Sequence, residues 1–180
     1  MTRDENRHSL CPADLREAGE GIFYSDRRFV LADGSIIDFL KDQAQSVPRR
    51  RARLCAHPSP DAEQHDMLIV SHRDTYVAPH RHMTKSESFL VLEGTGLVFM
   101  FDEDGTLTER IRMGPAQSGC PFFYRMPAGR FHSLWIESEV LVFVESTKGP
   151  FSPEETENAP WAPGPDEAVR GKDYLKALIA

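Results

Sequence analysis

From residue 66 to residue 147 the chain is a succession of short apolar runs broken by Gly, Pro and Asp. Met67–Val70, Ser88–Glu93, Leu97–Phe101, Leu107–Ile111, Phe122–Met126, His132–Ile136 and Val140–Glu145 are rich in β-branched, aromatic or other apolar residues, and each predicts a strand. Glu93-Gly94-Thr95-Gly96 predicts a turn, and Asp102-Glu103-Asp104-Gly105 predicts a hairpin loop. Ahead of this region, Gly21 to Tyr24 reads as a short strand, and one stretch has helical spacing. Ile36, Ile37, Leu40, Ala44 and Val47 recur on one face, Ser35 with Asp38 reads as a capping box, and Pro48 ends the helix. Residues 1–20 are polar and predict a tail. Beyond Lys148 the prolines at 150, 153, 160, 163 and 165 predict an extended arm without regular elements, apart from a last helical turn over Tyr174 to Ala180. The expected organisation is a tail (1–20), a strand and helix (21–57), a barrel (58–147) and an arm (148–180). The fold class is all-β, a single barrel or sandwich carrying an N-terminal helix.

Composition narrows the function classes. The chain has 180 residues and is 40% hydrophobic, enough for one cored domain. No apolar run reaches the length of a membrane span, and Met1 to Leu10 lacks the apolar core of a signal peptide, so the expected location is the cytoplasm. A net charge of −7 argues against nucleic acid and anionic membrane as partners. Cys11, Cys55 and Cys120 are odd in number and widely spaced, which predicts free thiols.

The chemistry concentrates in two segments. The first is Pro79-His80-Arg81-His82-Met83-Thr84-Lys85-Ser86-Glu87, with Gly94 following; the second is Pro127-Ala128-Gly129-Arg130-Phe131-His132. Alternate residues of a strand share a face, so His80 and His82 project together. A bend after His82 lets the chain return with Glu87, Phe89 and Val91 on the inner face, and Gly94 permits the next turn. The second segment places turn residues before a strand that delivers His132, with Leu134 and Ile136 beside it. Three imidazoles and a carboxylate then converge, a donor set suited to one divalent transition metal: iron, manganese, zinc or nickel.

At these residues the chain resembles the cupin superfamily, whose first motif spaces two His, a Glu and a Gly in this way and whose second reads Pro-x-Gly-x-x-His. The resemblance implies a small jelly-roll β-barrel with His80, His82, Glu87 and His132 as metal ligands. Asp74 stands where the first motif usually opens with Gly, and Ile136 where the second usually closes with Asn. A closer resemblance, from about Pro48 to Pro163, is to the WbuC-type cupin-fold metalloproteins. It is carried by Arg49 to Arg53, Cys55-Ala56-His57, Tyr76 to His82, Lys85 to Ser88, Gly149-Pro150-Phe151 and Trp161-Ala162-Pro163. It implies a metal cupin associated with surface-polysaccharide gene clusters.

Several residues are candidates for substrate contact. Arg51 and Arg53 belong to the one basic run, Arg49 to Arg53, which reads either as an anion-holding rim or, more simply, as a solvated connector pairing with the acidic excess. His57, Tyr76 and Lys85 are further candidates, each with a plainer structural reading. Arg81, between two ligands, is expected to point outward and pair with a carboxylate. His65 and His72 are expected to be exposed, and no second carboxylate besides Glu87 is evident inside the barrel. Two function classes stay open: an enzyme acting on a small polar molecule such as a sugar or sugar acid, by Lewis-acid isomerisation or by dioxygenation, and a non-catalytic module in which metal and pocket hold a ligand. Barrel edges and the arm offer pairing surface for a homodimer.

Overall fold

The structure, a computed structural model, describes residues 9–179; the first part of the expected N-terminal tail lies outside them. Strands β1 (Leu15–Gly19), β2 (Ile22–Ser25), β3 (Arg51–Cys55), β4 (Gln64–His72), β5 (His80–His82), β6 (Glu87–Glu93), β7 (Gly96–Phe101), β8 (Leu107–Met113), β9 (Phe123–Met126), β10 (Phe131–Ile136), β11 (Val140–Lys148) and β12 (Thr156–Asn158) form two sheets. The seven-stranded sheet runs β1-β2-β3-β4-β11-β6-β9 and the five-stranded sheet β12-β5-β10-β7-β8. Helices α1 (Gly34–Ser46) and α2 (Ala168–Ala177) complete the fold.

Strand parity sorts the side chains into layers. On the seven-stranded sheet, odd-numbered residues of β4 and β11, such as Ile69, Leu141 and Phe143, enter a central core with Phe89 and Val91 of β6 and with Val98, Leu134 and Ile136 of the opposite sheet. Even-numbered residues of β3, β4 and β11 (Ala52, Leu54, Val70, Val142) pack outward under α1 through its Ile36, Leu40 and Ala44. On the five-stranded sheet the outer face, with Leu97, Phe99, Phe101 and Phe131, is covered by Trp161, Tyr174 and Leu175 of the C-terminal segment. This double coverage explains why β7, Gly96–Phe101, is apolar at every position: both of its faces are buried.

Four local expectations are corrected. The N-cap of α1 is Asp33, whose carboxylate accepts the Ser35 N–H at 3.0 Å, rather than Ser35 with Asp38; an Asx side chain that accepts from the backbone two residues on starts the helix two residues earlier. Residues 15–19 form an edge strand antiparallel to β2 rather than a tail, and β1–β3 extend the sheet ahead of residue 58. The Pro-rich segment contains β12, which pairs with β5 so that Thr156 faces His82 and Asn158 faces His80. It also ends in a ten-residue helix, α2, rather than a last turn. Gly94 adopts a positive φ of 79° in the β6–β7 turn, and a Cβ there would meet the Val140 carbonyl at 2.1 Å, so the turn requires glycine.

Candidate metal centre

His80 and His82 project from β5, and β10 lies beside it with His132 directly opposite His80. One ring nitrogen from each of the three imidazoles lies within 4.8 Å of the other two. Two nitrogens bound to one ion at about 2.1 Å lie no more than about 4.2 Å apart, so slight side-chain adjustment brings all three onto one centre. Glu87, at the start of β6, places Oε2 3.3 Å from His82 Nε2 and Oε1 3.5 Å from His132 Nε2.

Each ring is oriented by its other nitrogen. His80 Nδ1 lies 2.8 Å from the Ala78 carbonyl oxygen and His132 Nδ1 lies 2.9 Å from that of Arg130. A carbonyl oxygen only accepts, so Nδ1 of each ring carries the proton and Nε2 keeps its lone pair. His82 Nδ1 lies 3.3 Å from Thr156 Oγ1 on β12, so the C-terminal segment supports the third ring. Burial, reinforced by His132 and His82, pushes the His80 imidazole down to about 3 and keeps it neutral. The hydrogen bond with Glu87 raises His82 despite its burial. Burial would push the Glu87 carboxyl up, but His132, His82 and the Tyr124 hydroxyl together hold it at about 2, so it is ionised. Three imidazoles and one ionised carboxylate are the donor types that a divalent transition metal requires, and the site residues therefore fit such an ion.

The cluster opens into a cavity of about 540 Å³. The sequence candidates His57, Arg51, Arg53, Tyr76 and Lys85 all line it. Arg51 and Arg53 alternate with Ala52 and Leu54 along β3; α1 takes the apolar pair, so the arginines face inward. They are not a solvated connector. Lys85 Nζ donates to the Pro150 carbonyl, and Tyr76 donates its hydroxyl to the Pro163 carbonyl at 2.6 Å, so both tie the C-terminal segment across the cavity. His57 Nδ1 lies 3.2 Å from the Asp66 carbonyl oxygen, and burial lowers its imidazole. Arg81 turns to the outer face, pairs with Glu157 and Glu103 at 2.8 and 2.7 Å, and stacks over Phe131.

Sequence reasoning missed two cavity residues, His65 and Glu145, and misjudged the exposure of His72, which does not line the cavity. His65 is buried, not exposed: its ring stacks on His57 with centroids 3.9 Å apart, and Nε2 lies 3.1 Å from the Pro60 carbonyl oxygen. His72 is also buried, with Nδ1 accepting the Asp74 N–H at 3.2 Å. A second carboxylate, Glu145, lies inside, sharing the inward parity of Leu141 and Phe143 on β11; a charge continuing that apolar parity was the readable signal. Burial, reinforced by Glu87, raises its carboxyl, while Arg51, 3.9 Å away, opposes this. Tyr124 on β9, packed against Phe89, donates its hydroxyl to Glu87 Oε1 at 2.8 Å.

A family model described as a domain of unknown function (DUF6016) matches residues 32–113. No curated protein matches the chain. Among solved structures, protein SO0799 from Shewanella oneidensis superposes with a TM-score of 0.50 at 13% identity, covering 71% of this chain and 82% of that one. CapF in complex with 3-isopropenyl-tropolone superposes with a TM-score of 0.50 at 21% identity, covering 63% of this chain and 32% of that one. Oxalate decarboxylase from Bacillus subtilis gives a TM-score of 0.47 at 18% identity, covering 60% of this chain and 27% of that one. The chain thus spans only about a third or less of the last two. The architecture is mostly β, in two facing sheets, and the fold is that of the cupins. Within that fold, His80, His82 and His132 form a cluster that could hold a metal ion. Among the described residues, no helix is long and apolar enough to cross a membrane.

Proposed function

We propose that this chain is a metal-dependent cupin enzyme that isomerises a small hydroxy-carbonyl compound, a sugar or sugar acid, bound in the cavity between the sheets. His80, His82, His132 and Glu87 hold one divalent transition metal ion. The observation that carries the reading is the orientation of the imidazoles: the Nδ1–H groups of His80 and His132 are spent on backbone carbonyls, leaving Nε2 lone pairs directed at one point. When bound, the ion supplies Lewis acidity toward a carbonyl or hydroxyl oxygen.

The chain's own groups do the rest. Isomerisation moves a proton from one carbon to its neighbour and a second from hydroxyl to carbonyl oxygen, with no net redox change. Glu145 lines the cavity and serves as the base that accepts and returns the carbon-bound proton, and burial keeps its carboxyl more basic than usual. Tyr124 fixes Glu87 so that this carboxylate stays with the metal rather than acting as the base. Phe89, Leu134 and Phe143 provide the apolar wall that limits water. The resemblance to WbuC-type proteins supports a sugar-derived substrate from surface-polysaccharide synthesis.

The test is to incubate metal-loaded protein with aldoses, ketoses and sugar acids in deuterated water and follow them by NMR. Interconversion with deuterium appearing at carbon is expected, and Glu145→Gln is expected to cut the rate about a hundredfold or more while retaining metal. Substrate consumption that requires dioxygen, without carbon-bound deuterium, would contradict isomerisation.

A further inference from the structure

The inner face of β3 carries two arginines, in register with Ser71 and Ile69 of β4. Arg53 lies in register with Ile69 of β4, which in turn faces Phe143 of β11. Arg51 and Arg53 are committed to this face because Ala52 and Leu54, on the other, are buried under α1. Their pairing is incomplete. Arg51 has Glu145 at 3.9 Å, a long contact, and its Nε is buried without a hydrogen-bond partner. Arg53 has no side-chain hydrogen bond or ion pair among the described residues, and its Nε is likewise buried and unpartnered. A guanidinium turned into a cavity with donors unmet is costly unless something accepts them.

Charge in the cavity runs opposite to charge on the whole chain. The protein carries −7, yet five cavity-lining side chains are Arg or Lys against three carboxylates. One of those carboxylates, Glu87, is engaged with His82, His132 and Tyr124. A bound divalent ion would add further positive charge. The cavity is therefore a focused positive site inside an acidic protein, with planar guanidinium donors suited to an oxyanion.

We propose that the substrate is anionic, and that Arg53, with Arg51, holds its carboxylate or phosphate group while the remainder of the molecule reaches the histidine cluster. This deepens the reading of the cavity as a substrate site and rests on it. Arg53, which has no carboxylate within ion-pair distance among the described residues and feels Glu145 only at longer range, is the principal contact; Arg51 completes the pair and ties it to Glu145. An uncharged sugar would leave both guanidiniums unsatisfied and bind poorly.

The test uses the metal-loaded full chain and three matched probes: glucose 6-phosphate, glucuronate and glucose. Calorimetric titration is expected to show one or both anions binding at least about tenfold more tightly than glucose, the loss expected when a charge-assisted hydrogen bond goes unmade. The stronger of the two anions assigns the group as phosphate or carboxylate. Arg53→Gln is expected to abolish the preference while leaving metal content and melting temperature near those of the parent, and Arg53→Lys to restore part of it. Equal binding of all three probes, binding of none at millimolar concentration, or an unchanged preference in Arg53→Gln would overturn the proposal. Metal content, measured on the same samples, separates this failure from failure of the metal centre. A full complement of metal with no anion preference sinks only the anion site.

Discussion

The Tyr124 hydroxyl donates to Glu87 Oε1 at 2.8 Å, joining the edge strand β9 to the carboxylate of the histidine cluster. Burial, with the carboxylate as neighbour, raises the phenol well above its ordinary range, so it stays protonated and donates. The bond fixes the rotamer that presents Oε2 to His82. Tyr124→Phe keeps the ring stacked on Phe89 and removes only the donor. Metal affinity in this variant is expected to fall by about 10–100-fold, measured by competition with a chromogenic chelator, with little change in the melting temperature of the metal-free protein.

Metal affinity is expected to depend on pH through His82. Its hydrogen bond to Glu87 raises the imidazole above its ordinary value, and the proton on Nε2 must leave before that nitrogen can bind. Affinity therefore weakens as pH falls through the raised value and levels off above it. In the metal-free protein the sign is reversed. A raised imidazole contributes stability that is fully present below its unfolded value and is lost as pH rises through the folded one. Chelator competition and urea unfolding across pH 5 to 9, roughly the span on either side of a histidine titration, read the two effects separately.

Gly171 of α2 lies against the Tyr76 ring so closely that an added Cβ would sit 2.1 Å from Cζ. On an exposed helix, Gly→Ala stabilises by about 1 kcal/mol. Here Gly171→Ala is expected to destabilise by about 1–3 kcal/mol through overpacking, read by urea unfolding. It is also expected to free Tyr76 from the Pro163 carbonyl, which raises protease sensitivity at the C-terminal segment. A stabilising outcome would show that α2 does not pack on the cavity wall as described.

Leu40 is fully buried between α1 and the outer face of the seven-stranded sheet. Leu40→Ala is expected to cost about 2–5 kcal/mol by the same measurement. Because this layer lies on the far side of the sheet from the histidines, metal stoichiometry of the folded variant is expected to be unchanged.

The histidine cluster was legible because two-residue periodicity is a strict geometric rule: His80 and His82 must share a face, and Pro-x-Gly before Phe131 must turn the chain. The same rule applied to Arg51 and Arg53, but their inward direction is set by α1 covering Ala52 and Leu54, a long-range fact that local charge does not reveal. His65 and His72 looked like surface residues because their partners, the Pro60 carbonyl and the Asp74 amide, are backbone groups exposed by turn geometry. The strand β12 was hidden by its length of three residues between prolines; it exists because β5 leaves an edge to be paired. Helix α2 was hidden by Gly171, which lowers helix propensity but is needed for close approach to Tyr76.

The most direct test of the metal centre is elemental analysis of protein purified without chelators, side by side with His132→Ala. One equivalent of a divalent transition metal per chain in the parent, and a severe loss in the variant that still folds, is the expected result. A parent without transition metal that also fails to take one up on titration, or a variant that retains the parent's metal in full, would contradict it.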